Sequence, residues 1–295
     1  MQLPLDGDPR RLMHRMMMEI PNVTLSDTEF RQIRKIVWKT TGISLADTKK
    51  ALVISRLARR LRELGYHSFH KYVNLLKTDP DEVLSMINRI TTNLTRFYRE
   101  KAQFVQLKEI ILPEIVTAVK KKRKNSLRIW SAGCSTGEEV YTILFEVMDF
   151  FKDVIPSSID FKILGTDIDS NVLEKAASGC YRNEELKGLD EPHIKKYFNP
   201  ISDNQFEIKE RFRKYVLFLK LNLVNDEFNF KNKFDIIFCR NVVIYFNKET
   251  KQRLYEKFHT VLENPGYFFS GHSENLFLYS QMFRFMGKSI YKKVT

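Results

Sequence analysis

"RIWSAGCSTGEEVYT", residues 128–142, decides the fold: a short apolar run, a loop bracketed by Gly133 and Gly137, then a helical stretch opening on Glu138 and Glu139. A glycine loop between a strand and a helix usually seats a nucleotide phosphate on the helix N-terminus. Here no Gly-Lys-Ser/Thr follows, and a polyanion would meet two carboxylates where a phosphate loop offers a lysine. The loop reads as built for a ligand without phosphates, one carrying positive charge.

Outward from this loop, short β-rich runs alternate with helical stretches from Ser126 onward. "LRIWSA", "DFKILGTD", "YVLFLKLNL", "FDIIFCRN", "GYFFSGHS" and "SIYKKV" read as strands; "GEEVYTILFEVMDFF", "SNVLEKAAS" and "NKETKQRLYEKFHTVLE" read as helices. Central runs that are apolar throughout predict a doubly wound α/β sheet buried on both faces, whose ligands sit beyond the carboxyl ends of the strands. Before it, residues 25–90 are helical in pattern. Ser26 and Glu29 form a capping-box sequence, and that helix ends at Gly42. "KKALVISRLARRLRELG" places Leu57, Leu61 and Leu64 on one face and stops at Gly65; "FHKYVNLLKTD" and "PDEVLSMINRI" predict two more helices. The Met-rich residues 1–24 read as a short helix or, the preferred reading, a frayed tail, and "KKKRK" at 120–124 as a solvated turn.

Composition bounds the function. With 43% apolar and 13% aromatic residues the chain is globular, and no apolar run is long enough to span a bilayer. The start "MQLPLDGDPRR" lacks the basic opening and greasy core of a signal peptide. Three widely spaced cysteines, with no C-x-x-C, fit a reducing cytosol better than a disulfide framework or zinc site. The net charge of +13 calls for an anionic partner, whether nucleic acid, an acidic membrane surface or a carboxylate-rich protein, and charge alone does not choose among them.

The strand ends carry the chemistry. Asp167 in "GTDIDS" lies where an acid can take both hydroxyls of a ribose; a helix cap is the plainer role, but Ser170 fits that task before "NVLEKAA". Arg240 and Asn241 end the fourth run, with Tyr245 following, and polar residues there face the ligand crevice or simply cap the strand. Cys239 reads as a small core residue, and His272 as a candidate base that, alone beside a glycine turn, is more often structural. There is no nucleophile triad, no H-E-x-x-H and no other metal-ligand pairing. A ribose, no phosphate and acids beside a tight loop are together met by S-adenosylmethionine, which carries a sulfonium and an ammonium. "ITTNLTRFYREKAQF" by itself is a linker with helix caps.

"TTNLTRFYRE", "WSAGCSTGEEVYT", "TDIDSNVLEKAASGCY", "FDIIFCRNVVIYF" and "GYFFSGHSEN", in this order, resemble the CheR family of S-adenosylmethionine-dependent protein-glutamate O-methyltransferases of bacterial chemotaxis. The resemblance runs from about Leu25 to the C-terminus. It implies a helical substrate-docking domain at 25–90, a linker at 91–104 that contributes to the cofactor site, and a class I, Rossmann-like methyltransferase domain at 105–295. Residues 179–215 would form an inserted β-subdomain. It implies further that Asn93, Thr95 and Arg99 reach the cofactor, that Glu139 holds its methionine end, Asp167 its ribose and Asn222–Leu223 its adenine. Arg240 and Asn241 would line the pocket, and Arg99 and Tyr245 would orient the reacting groups, with S-adenosylhomocysteine as product. Val140, Cys134 and Tyr98 stand where the family usually has proline, a small residue such as alanine, and phenylalanine. "YFNPISDNQFEIKERF" has no glycine-bearing loop of the kind that docks a receptor's C-terminal pentapeptide, and so resembles the class that does not need that tether.

The charge then gains a direction. Arg56, Arg59, Arg60 and Arg62 lie in "KKALVISRLARRLR", a run without an acid, and are expected to dock the acidic methylation helices of a receptor. The expected partner is the cytoplasmic part of membrane chemoreceptors, met by a cytoplasmic monomer that neither inserts into the membrane nor binds nucleic acid. The alternatives are a nucleic-acid methyltransferase, which would want Asp/Asn-Pro-Pro-aromatic where "CRNVVIYF" stands, and an S-adenosylmethionine-binding sensor or scaffold without turnover.

Overall fold

The computed structural model describes residues 23–91, 95–121, 125–152 and 155–295. Of these, 23–39 and 45–91 make one compact unit, and 40–44 with the described residues from 95 onward make a second. Asn93 and most of the 120–124 run fall outside the described residues, as does nearly all of 1–24.

The first unit is built from helices α1 (Asp27–Thr41), α2 (Lys50–Glu63), α3 (Phe69–Leu76) and α4 (Pro80–Ile90). The capping box at α1 forms: the Ser26 amide donates to Glu29 Oε2 (2.8 Å) and the Glu29 amide to Ser26 Oγ (3.2 Å). Asp79 caps α4 by accepting from the amides of Asp81 and Glu82, with Pro80 at the first helical position. The apolar stripes, among them Phe30, Ile33, Val53, Leu57, Leu61, Phe69, Met86 and Ile87, are buried. Leu64 sits past the last full turn of α2 and is half-buried.

In the second unit the strands are β1 (Ser126–Ala132), β2 (Asp160–Asp167), β3 (Cys180–Arg182), β4 (Phe198–Ser202), β5 (Gln205–Ile208), β6 (Val216–Lys220), β7 (Phe234–Cys239), β8 (Leu262–Ser270), β9 (Phe283–Gly287) and β10 (Ile290–Lys293). The helices are α5 (Lys101–Gln106), α6 (Leu112–Lys121), α7 (Glu138–Phe150), α8 (Ser170–Ser178), α9 (Glu191–Tyr197), α10 (Glu210–Arg213) and α11 (Lys248–Val261). Seven strands form one sheet in the order β6-β2-β1-β7-β8-β10-β9, parallel as far as β8, with β10 antiparallel to both its neighbours.

Adjacent residues explain the unbroken apolar runs. Ile129, Ile163 and Ile236 enter a core with α7, while Trp130, Leu164 and Ile237 enter the opposite core with Leu254, Tyr255 and Phe258 of α11. Between α8 and β6 the chain builds a separate antiparallel sheet, β3-β5-β4, in which Asp203 and Asn204 alone join β4 to β5.

Four details depart from the sequence reading. Asp169, not Ser170, caps α8, its side chain accepting from the Asn171 amide at 2.9 Å. The strand expected over 215–223 ends at Lys220, because the Asn222 side chain accepts from the amides of Val224 and Asn225 and turns the chain. An additional strand, β9, pairs with β10 through a two-residue turn at Lys288 and Ser289, both at positive φ. Residues 40–44, expected inside the helical domain, join the second unit: the Thr40 carbonyl accepts from the side-chain amides of Asn222 and Asn225, and the Ser44 amide donates to the Tyr245 carbonyl. Among the described residues no helix is long and apolar enough to cross a membrane.

Candidate active site

The strand order reverses between β1 and β7, which opens a crevice at their carboxyl ends. The loop after β1 lines it. Gly133 and Gly137 adopt φ of +83° and +94°, and a Cβ would lie 2.4 Å from Val242 Cγ2 at the first and 2.9 Å from Ala176 Cβ at the second. Only glycine fits both demands. The amides of Gly133 and Cys134 both donate to the Thr166 carbonyl, closing the loop onto the end of β2.

The two glutamates diverge. Glu138 turns inward to accept from Thr136 Oγ1, and burial pushes its carboxyl above the usual range. Glu139 instead accepts from Ser131 Oγ (2.7 Å) and from Arg240 Nη1 (2.9 Å). Arg240, with its side chain 2% exposed, also lies 3.2 Å from Glu100 Oε2, donates to the Arg99 carbonyl and covers the Phe104 ring. The Arg99 carbonyl, Glu139 and Arg240 are thus brought together, with the Arg240 guanidinium fixing the Glu139 and Glu100 carboxylates.

The linker is held in strained geometry around this arginine. Tyr98 and Glu100 adopt φ of +53° and +62°, each costing about 1–2 kcal/mol for a residue with a side chain. Among the described residues the buried side-chain atoms without a hydrogen-bond partner are Glu100 Oε2, Gln103 Oε1 and Arg240 Nε, all in this corner. Buried polar atoms left unmatched mark a place organised for something other than stability.

Asp167 accepts from the amides of Ser135 (2.9 Å) and Asp169 (3.1 Å), with the Ile168 amide also favouring its charged form, while burial raises its carboxyl. A carboxylate has about four acceptor positions, so capacity remains for a diol. Asn241, at φ +60°, gives its amide to Glu274 Oε2. Glu274 also accepts from the amides of Gly271 and Ile244, binding the two loops beyond β7 and β8 together. Tyr245 is exposed, Thr95 and Arg99 half-buried, and Leu223 buried against Trp130 and Leu164. The Asn222 side-chain amide is committed to its own turn and to the Thr40 carbonyl.

Glu100 and Glu274 were not singled out from the sequence. Glu274 had one signal, its place shortly after the end of β8 at Ser270; Glu100, in the linker before α5, had none. His272, singled out as structural, lies at the surface 3.6 Å from Glu100.

The basic run on α2 divides. Arg56, Arg59 and Arg62 are exposed, Arg59 pairing with Glu63 at 3.0 Å. Arg60 is different: it binds the buried carboxylate of Glu82, which also accepts from the Tyr72 hydroxyl at 2.7 Å, and that bond raises its own pKa further. The expectation that Arg60 presents a free charge is therefore corrected; its partner is already in the fold.

The donor set at the strand ends fits S-adenosylmethionine. Glu139 and Asp167 offer carboxylates to an ammonium, a sulfonium or a ribose diol, and no lysine stands on the loop to receive a phosphate. Family models agree: residues 93–292 match "CheR methyltransferase, SAM binding domain" and residues 28–91 match "CheR methyltransferase, all-alpha domain". The chain is 38% identical over 259 residues to the chemotaxis protein methyltransferase of Borreliella burgdorferi, covering 86% of this chain and 90% of that protein. It is 38% identical over 274 residues to the one from Escherichia coli (91% and 92% covered), and 38% over 266 residues to chemotaxis protein methyltransferase 2 of Pseudomonas aeruginosa (89% and 92%). With both of its units matched and relatives aligned over most of their length, the chain belongs to the CheR methyltransferase family.

Proposed function

We propose that this protein transfers a methyl group from S-adenosylmethionine to glutamate side chains in the cytoplasmic part of chemoreceptors, leaving glutamate methyl esters and S-adenosylhomocysteine. The observation that carries the reading is the pair of carboxylates at the ends of β1 and β2, with Glu139 fixed by Arg240 and Asp167 by the Ser135 amide of the glycine loop.

Bound S-adenosylmethionine supplies an electrophilic methyl on a sulfonium. The substrate needs no catalytic base, because a glutamate with a reference pKa of about 4.3 is already a carboxylate at neutral pH. Its oxygen bonds to the methyl carbon as the carbon–sulfur bond breaks and that electron pair stays on sulfur; both charges vanish. Water stabilises the separated charges, so excluding it and holding the groups in line favours reaction. In this reading Glu139 and Asp167 bind the cofactor's two ends, Asn93 and Thr95 contribute from the linker, and Asn222–Leu223 borders the adenine. Asn241 lines the pocket, while Arg99 and the exposed Tyr245 orient the reacting groups rather than move protons.

Helix α2 is the docking element, through Arg56, Arg59 and Arg62, for an acidic receptor helix. The short β4–β5 hairpin, lacking a glycine loop, supports docking without a C-terminal pentapeptide tether. The protein works as a cytoplasmic monomer.

The test is transfer of radiolabelled methyl to receptor-rich membranes, counting label released as methanol by alkali. Alkali-labile label is expected. Cofactor binding without label on any receptor, or label on nucleic acid, would overturn the proposal.

A further inference from the structure

Outside the crevice, one cluster of titratable side chains joins the linker to the inserted sheet. The Tyr98 hydroxyl donates to Glu146 Oε1 on α7 (2.8 Å), and its oxygen lies 3.3 Å from His193 Nε2 on α9. His193 Nδ1 is 2.5 Å from Asp190 Oδ1, and Nε2 is 3.6 Å from Asp149 Oδ2. Asp149 also accepts from Lys196 Nζ at 2.7 Å and from the Tyr197 hydroxyl. Lys108 approaches Glu146 and Asp149 at 3.9 and 3.6 Å, and Lys101 lies over the Tyr98 ring. The charged groups facing His193 are therefore Asp190 and Lys196 on its own segment, Glu146 and Asp149 on α7, and Lys101 and Lys108 from the chain after the linker.

We propose that Tyr98 and His193 are positioning residues: the Tyr98 hydroxyl ties the linker to the inserted subdomain, and this tie holds residues 98–100 in the backbone that presents Arg240 to Glu139. Three observations converge. Residues 98 and 100 sit at positive φ, a conformation that persists only where surrounding contacts dictate it. The contacts that fix Tyr98 are its amide on Thr142 Oγ1 (3.2 Å), its ring on Phe104 and its hydroxyl on Glu146 and His193. The two residues that follow supply the Arg99 carbonyl and the Glu100 carboxylate to Arg240.

The tie depends on the charge of His193. Both ring nitrogens face oxygens, the arrangement an imidazolium satisfies by donating from each. The Tyr98 proton is committed to Glu146, so a neutral His193 that keeps its proton on Nδ1 sets a lone pair against the Tyr98 oxygen. The bond to Asp149, opposed by burial and aided by Asp190, raises the His193 pKa. A raised pKa means the contribution is complete below the ordinary histidine range and is lost as pH rises through the folded value.

The test is calorimetric titration of S-adenosylhomocysteine from about pH 6 to about pH 9 on the wild type, Tyr98→Phe, His193→Gln and the double variant. Lys196→Met serves as a control that loosens the same cluster without touching Tyr98. Because the readout is cofactor affinity, it is independent of which carboxylate is methylated. Wild-type affinity should fall about tenfold across the range. Each single variant should start about tenfold weaker and be flat with pH, the double variant should match the singles, and Lys196→Met should lose thermal stability while keeping the wild-type slope. Single variants that retain wild-type affinity and slope, or losses that add in the double variant, would overturn the proposal.

Discussion

Two arginines, Arg60 and Arg240, each bind two carboxylates, and the difference between their surroundings separates architecture from function. Arg60 bonds Glu82 and Glu63 with its side chain 25% exposed, and Tyr72 completes the Glu82 shell. No buried atom of that cluster lacks a partner among the described residues. Arg240 is 2% exposed and leaves its own Nε without a hydrogen-bond partner, while Glu100 Oε2 meets it only as an ion pair at 3.2 Å, beside linker residues in left-handed backbone. A satisfied cluster holds helices together; an unsatisfied and strained one at the carboxyl edge of a parallel sheet is held in readiness for a ligand.

The contrast is open to experiment. The largest effect is expected for Arg240→Met, which strands Glu139 and Glu100 without their common cation. Stability should fall by about 3–5 kcal/mol, read by denaturant unfolding, and S-adenosylhomocysteine binding should vanish. A variant that binds normally would break the comparison. Asp167→Asn removes the charge but keeps one acceptor, and should weaken cofactor affinity by about 2 kcal/mol with little change in melting temperature; the reverse pattern would make Asp167 a loop brace only.

Glu82→Gln should do the opposite of Asp167→Asn. It costs about 1–2 kcal/mol of stability, since the Tyr72 bond survives and the Arg60 charge pair does not, and cofactor affinity stays at the wild-type value in titration. The smallest effect is expected for the paired reversal Arg56→Glu and Arg62→Glu. It should raise the apparent KM for receptor by a few-fold, a difference that shrinks as salt screens the charges. A salt-independent KM would remove α2 from the docking role.

The sheet was legible because burial on both faces forces apolar residues at every strand position, as in Phe234–Cys239, and a glycine loop must follow where Val242 and Ala176 press close. Asp167 was expected to end the second strand, and it does. Arg60 misled because a run counts charges along the chain, whereas its partner Glu82 is 22 residues away. Glu274 was overlooked because its role exists only once the fold brings the amides of Gly271, Asn241 and Ile244 around one carboxylate. Strand β9 escaped because its exposed Phe285 and Met286 carry no alternating pattern. Local rules reach whatever the chain decides within a few residues; contacts between distant segments need the structure.

The central claim is that the crevice delivers methyl groups to glutamate carboxylates. It is tested most directly by mapping methyl groups by mass spectrometry on a purified receptor cytoplasmic fragment after incubation with this protein and S-adenosylmethionine. The account predicts alkali-labile methylation confined to glutamate side chains and abolished when those glutamates are replaced by glutamine. Alkali-stable methyl groups on lysine or on the amino terminus, persisting after that replacement, would contradict it.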